Sequence, residues 1–142
     1  MWRVKKILRA ALAVMAMTLC VTAAARSPVP VVDHDSIAVV TGSGKPISAT
    51  EVGDAIARGA AGGRRSWVVA RSSPSRMRAT YSVRTHAISV DIEYTEQAYS
   101  IHYAGSDNMK FSMENGVKLI HPFYNNWVQE LMRSISAELS KL

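Results

Sequence analysis

The sequence predicts a small α+β domain with two layers, in which an antiparallel meander of strands is covered by a C-terminal helix. Apolar residues alternate at every second position over much of residues 66–103, as in strands with one buried face. They recur at three- and four-residue steps over residues 122–142, as in an amphipathic helix. A helix-capping pattern before the strands adds an N-terminal β-α unit, so the predicted order is β, α, several antiparallel β, α.

The first 25 residues have the pattern of a removable secretory signal peptide. Four cations and no acid stand in residues 1–9, and the uncharged run Ala10–Val21 follows. This run has 12 residues, whereas a helix that crosses a bilayer needs roughly 20. Small residues surround Ala25 in the pattern that a signal peptidase reads. We therefore expect cleavage after Ala25, or after Ala24, and export of the remainder.

Cys20 leaves a second processing route open. A lipoprotein signal also ends its apolar run at a cysteine, which is acylated and becomes the first residue of the mature chain. Leu19 precedes Cys20, where a lipoprotein peptidase requires Gly, Ala or Ser, so ordinary cleavage is favoured. The predicted location is the periplasm or the exterior of the cell. The alternative is an outer-membrane lipoprotein, and membrane contact is expected only if Cys20 is lipidated.

Cleavage changes the charge and the cysteine content of the working chain. The full chain carries 17 Lys and Arg against 11 Asp and Glu, a net charge of +6, and four of the cations lie in the predicted signal peptide. The mature chain therefore carries only +2, which argues against a nucleic-acid partner. It also lacks cysteine, because Cys20 is the only one. Thiol catalysis and disulfides are then excluded.

The mature chain is expected to begin with an extended leader, residues 26–35, followed by one folded domain, residues 36–142. The β-branched run Ile37–Thr41 predicts the first strand, and glycines break it directly afterwards. Three consecutive residues of the leader, Asp33-His34-Asp35, have metal-binding side chains. Three ligands in a flexible segment make a weak site, so we predict no metal, and no cofactor pattern is present.

A helix is predicted after this strand. Ser48 and Glu51 have the capping-box spacing, in which hydroxyl and carboxylate each bond a free backbone N–H at the helix start. The preceding loop, Gly42-Ser43-Gly44-Lys45, is similar to a phosphate-cradling loop but lacks the earlier glycine and the Ser or Thr that this motif requires. We interpret it as a strand-to-helix turn.

The alternating run predicts a first hairpin with a defined register. If Thr85 and His86 form a two-residue loop, Val83 lies opposite Ile88, and the other apolar residues of the two strands also meet in pairs. One face of this hairpin is therefore expected to be buried.

A second hairpin, turning at residues 95–98, places His102 across from Asp91. A carboxylate beside an imidazole can orient it as a general base, with Ser89 or Ser100 nearby. A small hydrolase or transferase using this pair is one alternative function. An exposed cross-strand pair is favoured, because the chain has no G-x-S-x-G nucleophile turn.

The last helix is predicted to begin near Pro122, since proline is well tolerated in a first helical turn. Its apolar side is expected to pack across the sheet. That side consists of Tyr124, Trp127, Val128, Leu131, Ile135, Leu139 and Leu142.

Four tyrosines share the predicted buried face with a tryptophan of the last helix. They are Tyr81, Tyr94, Tyr99, Tyr103 and Trp127. Such residues at strand and helix periods are usually core. A ligand carrier with an aromatic pocket between sheet and helix is a second alternative.

Arginines dominate one part of the sequence. Seven arginines and no acid stand between Arg58 and Arg84. Arg76, Arg78 and Arg84 are expected to share the solvent face of one strand, where they could bind phosphate groups or an acidic protein. The alternative is an ordinary solvated face, because Asp91 and other acids follow on the adjacent strand.

The run from Trp67 to Leu131 resembles a group of small exported proteins and lipoproteins of Gram-negative bacteria. The similarity lies in the strand meander, in Ser106 and Asn108, and in an Ile-His-x-x-Tyr-Asn-x-Trp-Val motif at the last helix. The matching motif residues are His121, Tyr124, Asn125 and Trp127. The resemblance implies an envelope location and this order of elements, and it implies no reaction. Members commonly have a lipoprotein signal, from which Leu19 departs.

Together these patterns favour an exported, non-catalytic binding or interaction domain. Its partner is expected to be an envelope protein or an anionic surface. Two places are candidates, the arginine-bearing strand face and the edge near the last helix. The candidate binding residues are Arg76, Arg78, Arg84, Ser106, Asn108, His121 and Asn125.

Overall fold

The computed structural model describes residues 25–142 and has the predicted α+β fold. The predicted signal peptide, apart from Ala25, lies outside these residues, and so does Cys20. Two helices and two antiparallel sheets are formed in the described part of the chain. The elements are β1 (Val29–Pro30), β2 (His34–Ala38), α1 (Ala49–Gly62), β3 (Val68–Ser73), β4 (Arg76–Val83), β5 (His86–Tyr94), β6 (Ala98–Asp107), β7 (Ser112–Glu114), β8 (Val117–Ile120) and α2 (Phe123–Leu139).

The larger sheet has five strands in the order β2-β6-β5-β4-β3. Its strands alternate as the sequence predicts, so that one face is apolar and the other polar. Both helices supply side chains to the core on the apolar face. The largest fully buried side chains there include Ile56 of α1, Met77, Ile88, Ile92 and Ile101 of the sheet, and Leu131, Ile135 and Leu139 of α2. The predicted packing of the last helix on the sheet is confirmed.

The predicted register of the first hairpin is wrong by two residues. The turn is formed by Arg84 and Thr85, and Val83 therefore lies opposite His86 instead of Ile88. A shift of two keeps every side chain on its own face, so the apolar alternation does not distinguish the two registers. Asn108 favours the observed turn, because its Nδ2 donates to the Thr85 hydroxyl at 2.9 Å.

The second hairpin and the start of α2 agree with the prediction. Ile92 pairs with Ile101, and Asp91 pairs with His102, in the expected register. Helix α2 begins at Phe123, directly after Pro122.

The segment before Ser36, predicted to be an extended leader, forms strand pairs with the rest of the described chain. Strand β1 pairs with β8, and β2 begins at His34 instead of Ile37. Side-chain contacts explain why this polar segment is ordered. The Asp33 carboxylate accepts the backbone N–H of Tyr103 at 2.9 Å.

The smaller sheet, in the order β1-β8-β7, was not predicted. Its hairpin turns through Asn115 and Gly116, which have φ angles of 50° and 77°. Asn-Gly between two strands is the commonest sequence signal for such a two-residue turn. The sequence therefore contains a turn signal for this hairpin, but its strands are too short to show a clear alternation of apolar and polar residues.

Helix α1 starts as predicted. Ser48 and Glu51 form the full capping box, with the Ser48 N–H donating to the Glu51 carboxylate at 2.8 Å. The loop Gly42-Ser43-Gly44-Lys45 turns between β2 and α1, and the Ser43 N–H bonds the carbonyl of Leu142 at 2.9 Å. Neither helix of residues 25–142 is long and apolar enough to cross a membrane.

Candidate functional site

Only two of the three predicted arginines, Arg76 and Arg78, lie on the polar face of β4, and each is paired with an acid. Arg78 forms a two-pronged ion pair with Asp91 across β4 and β5, at 2.8 and 3.0 Å. Arg76 lies 3.0 Å from Glu93. The Arg78 guanidinium holds the pKa of Asp91 below its usual range. Arg84 is not on this face, because it lies in the turn that follows β4.

All four predicted edge residues have structural hydrogen-bond partners, and that of His121 is the backbone N–H of Phe123. Ser106 Oγ lies 2.8 Å from the Tyr103 hydroxyl, and Asn108 holds the Arg84-Thr85 turn through Thr85. Asn125 bonds the backbone on either side of Val31. Because their side chains hold other parts of the fold, Ser106, Asn108 and Asn125 are poor candidates for ligand binding.

The proposed catalytic pair is arranged differently from the prediction. His102 lies opposite Asp91 in the sheet, but its Nε2 bonds the carboxylate of Asp35 on strand β2, since Arg78 already occupies Asp91. Ser100 Oγ accepts the backbone N–H of Ser36. Within residues 25–142, no serine hydroxyl bonds His102, so a nucleophile activated by this histidine is not assembled.

The Asp33-His34-Asp35 segment also has its carboxylates engaged. Asp33 bonds the Tyr103 backbone and Asp35 bonds His102. The part of the chain that the structure describes contains no group of three or more His, Cys, Asp or Glu side chains placed to hold a metal ion.

The remaining two predicted residues, Arg84 and His121, meet at one groove. This groove, which we call the α2 groove, lies beside the first turns of α2 and has a volume of about 430 Å³. Ligand sites in proteins typically measure roughly 300–1,000 Å³. Besides Arg84 and His121, its lining includes His86, Met109 and Phe123. A turn, two strand ends and a helix start therefore meet there.

A continuous series of aromatic rings begins with His121, Phe123 and Trp127 of the α2 groove and continues through Tyr81 and Trp67. The ring centroids of His121 and Phe123 are 4.6 Å apart, those of Phe123 and Trp127 5.7 Å, those of Trp127 and Tyr81 5.1 Å, and those of Tyr81 and Trp67 5.6 Å. Trp67 and Trp127 are buried, whereas Phe123 is 39% exposed. The series therefore runs from the core to a ring that solvent can reach.

Arg65 also lines the groove. Its guanidinium donates to the Tyr81 hydroxyl at 3.0 Å and is paired with Glu130. It also lies over the rings of Tyr81 and Trp127, at 5.3 Å from each centroid. These contacts hold the Arg65 side chain in one position, so we interpret it as part of the rigid lining of the groove.

The two histidines of the groove have defined hydrogen-bond roles. His86 Nδ1 lies 2.6 Å from the Asn108 carbonyl, which can only accept, so this nitrogen carries a proton. His121 Nδ1 accepts the backbone N–H of Phe123 at 3.1 Å, so the proton of the neutral ring is on Nε2. Burial lowers the pKa of His121, and the positive charges of Lys110, Arg26 and His86 lower it further.

Most of this groove was not identified from the sequence. The predicted register, which differs from the observed one by two residues, assigns Arg84 to a strand face and Thr85 and His86 to a loop. Phe123 and Met109 gave no signal by themselves, since an exposed phenylalanine at a helix start and a methionine in a loop fit many roles.

The aromatic residues expected between sheet and helix fill that space as core. Tyr94 and Tyr99 are buried, and Tyr81 and Tyr103 pack against the core cluster. The α2 groove lies beside this core, at the start of α2.

Known protein families, curated proteins and solved structures were compared with this chain, and none of them matches it. The resemblance to exported bacterial proteins therefore stays a prediction from the motif.

Proposed function

We propose that this protein is an exported, non-catalytic binding domain of the bacterial envelope, and that the α2 groove is its binding site. The export part rests on the pattern of residues 1–25. The binding part rests on the groove, where an accessible aromatic ring stands beside side chains that can donate hydrogen bonds.

The single observation that carries the proposal is the meeting of Arg84, His121 and Phe123 at one concave surface. Binding sites combine apolar surface, which supplies affinity, with a few polar groups that fix orientation. The rigid surroundings support this role. Arg65 is locked against Trp127, and the Arg84-Thr85 turn is held by Asn108, so a ligand would meet a largely pre-formed site.

A fragment screen by two-dimensional ¹H–¹⁵N NMR tests this proposal. The fragments should include neutral, anionic and cationic compounds of fewer than about 15 heavy atoms. We expect the backbone signals of residues 84–86, 109–110, 121 and 123–127 to shift. The internal comparison is another cleft, between β2 and α2, which has a similar volume of about 440 Å³ and is lined by Ile37, Met132 and Arg133 among others. Hits confined to that cleft, or no hits at all, would contradict the proposal.

A further inference from the structure

The charges around the α2 groove differ from those of the rest of the described chain. Elsewhere in residues 25–142, arginines are mostly paired with acids. The pairs are Arg58 with Glu138, Arg71 with Asp54, Arg76 with Glu93 and Arg78 with Asp91. Glu130, the one carboxylate among the groove residues, is already paired with Arg65 and Arg64.

Three cations near the groove have no such partner. In residues 25–142, no carboxylate lies within 4.0 Å of the charged nitrogens of Arg26, Arg84 or Lys110, whereas the pairs above meet that distance. Arg84 lines the groove directly. The Arg26 guanidinium lies 4.8 Å from the centre of the Phe123 ring, and Lys110 follows the groove residue Met109. Of the six Lys and Arg residues without an ion pair in residues 25–142, three therefore lie at or beside this groove, and the other three are Lys45, Lys118 and Arg133.

The hydrogen-bonding groups of the groove also favour a negatively charged ligand. In the neutral His121 ring, Nδ1 is occupied by the Phe123 N–H, so the proton on Nε2 is what remains to offer a ligand. Arg84 and Lys110 can only donate. An acceptor that carries negative charge satisfies donors of this kind best, and the bond is then stronger than one between neutral groups.

The apolar residues of the groove indicate a second property of the ligand, an apolar group. Met109 and Trp127 are buried, and the Phe123 ring is partly exposed. An inorganic anion would leave this apolar surface in water, whereas an anion joined to an apolar group would cover it.

We propose that the α2 groove binds small organic anions, in which a carboxylate or phosphate group is joined to an aromatic or aliphatic group. This inference rests on the proposed function, because it names the ligand class of the same site. The anionic group faces Arg84 and His121, and the apolar group lies against Phe123.

Calorimetric titration with four probes tests the ligand class. Phenyl phosphate and benzoate have both features, benzyl alcohol has only the ring, and inorganic phosphate has only the charge. We expect one of the first two to bind at least about tenfold more tightly than benzyl alcohol, since one charge-assisted hydrogen bond is enough for such a ratio. The same margin is expected over inorganic phosphate, because it has no apolar group to cover the Phe123 ring. Comparison of phenyl phosphate with benzoate shows which anionic group is preferred.

Matched substitutions show whether the groove is responsible. Arg84→Gln should weaken binding of the better anion at least about fivefold and leave benzyl alcohol unchanged. The control is Arg133→Gln, since Arg133 is an exposed arginine of the other cleft, also without an ion pair in residues 25–142. Arg133→Gln should leave the affinity for the anion unchanged. Circular dichroism verifies the fold of each variant, and Lys110→Gln, expected to weaken the anion in the same direction, replaces Arg84→Gln if that variant does not fold.

The outcomes separate this inference from the proposed function. Equal affinity for benzyl alcohol and the anions, with NMR shifts at the groove, overturns the ligand class and leaves the groove as a binding site. Equal losses in Arg84→Gln and Arg133→Gln overturn the assignment of the anion to this groove. No binding of any probe, together with no groove hits in the fragment screen, overturns both.

Discussion

Asn125 joins helix α2 to Pro30 of strand β1. Its Nδ2 donates to the Pro30 carbonyl at 3.0 Å, and its Oδ1 accepts the Val32 N–H at 3.1 Å. Both polar groups of the Asn125 side chain thus bond backbone groups of the N-terminal segment, one in β1 and one shortly after it. A residue that the sequence marks as a binding candidate therefore fastens the N-terminal segment to the last helix.

Replacing Asn125 by Ala should weaken this attachment. The backbone groups of Pro30 and Val32 would lose their partners, so we expect the free energy of unfolding to fall by about 1–2 kcal/mol. Urea denaturation measures the loss, and amide hydrogen exchange at Val32 should accelerate. Gln129→Ala, at an exposed position of the same helix, is the control. An unchanged exchange rate at Val32 would refute the attachment.

Two glycines of α1 should respond in opposite directions to alanine. A Cβ at Gly59 would lie 2.8 Å from the Ser134 oxygen and the Ile135 Cα of α2, whereas a Cβ at Gly62 would meet nothing within 4 Å. We expect Gly59→Ala to lower the free energy of unfolding by about 1–3 kcal/mol, because the helices must separate. Gly62→Ala should raise it by up to about 1 kcal/mol through higher helix propensity. Equal effects in thermal or urea denaturation would disprove the close approach of α1 and α2.

Much of the fold follows from periodicity, which is visible in the sequence. The capping box at Ser48, the start of α2 after Pro122 and the pairing of Asp91 with His102 were all predictable, because each depends on local spacing. The register of the first hairpin was not, since a shift of two residues leaves the faces unchanged. The ordering of the segment before Ser36 depends on contacts more than 60 residues away in sequence, such as that of Asp35 with His102.

The site was less predictable than the fold. Sequence patterns identify residue types, but ion pairing decides which charges stay available. Arg78 and Arg84 look alike in the sequence, and only the structure distinguishes them, because Asp91 neutralises the first. The groove brings together residues of four separate segments, which no single motif contains.

Protonation of His121 should destabilise the fold. Its Nδ1 accepts the Phe123 N–H, and its pKa is lowered in the folded protein by burial and by nearby positive charges. The unfolded chain, with a pKa of about 6.5 for this histidine, therefore takes up the proton first as the pH falls. Stability attributable to His121 is complete above that value and is lost as the pH falls to the lowered pKa of the folded state.

Urea denaturation of the wild type and His121→Asn across this pH range measures the effect. Asparagine can still accept at a helix start but does not titrate. We expect the variant to lose less stability than the wild type between pH 7.5 and pH 5. Identical pH profiles would show that His121 does not titrate in the way described.

The N-terminus of the exported protein is predicted to be Arg26. Cleavage after Ala25 removes the apolar run and Cys20. Mass spectrometry of the protein from soluble and membrane fractions of the producing cells checks this. A diacylated Cys20 at the N-terminus would instead establish a tethered lipoprotein, and an intact Met1 in every fraction would contradict export.

Fluorine NMR of protein labelled with 5-fluorotryptophan tests the α2 groove most directly. Trp67 and Trp127 are the tryptophans of residues 25–142, and Trp127 lines the groove whereas Trp67 lies in the core at the far end of the ring series. Assignment follows from Trp67→Phe. On titration with any probe that binds by calorimetry, we predict a shift of the Trp127 signal that saturates with the calorimetric affinity and clearly exceeds that of Trp67. A probe that binds and leaves the Trp127 signal unchanged would contradict the assignment of function to this groove.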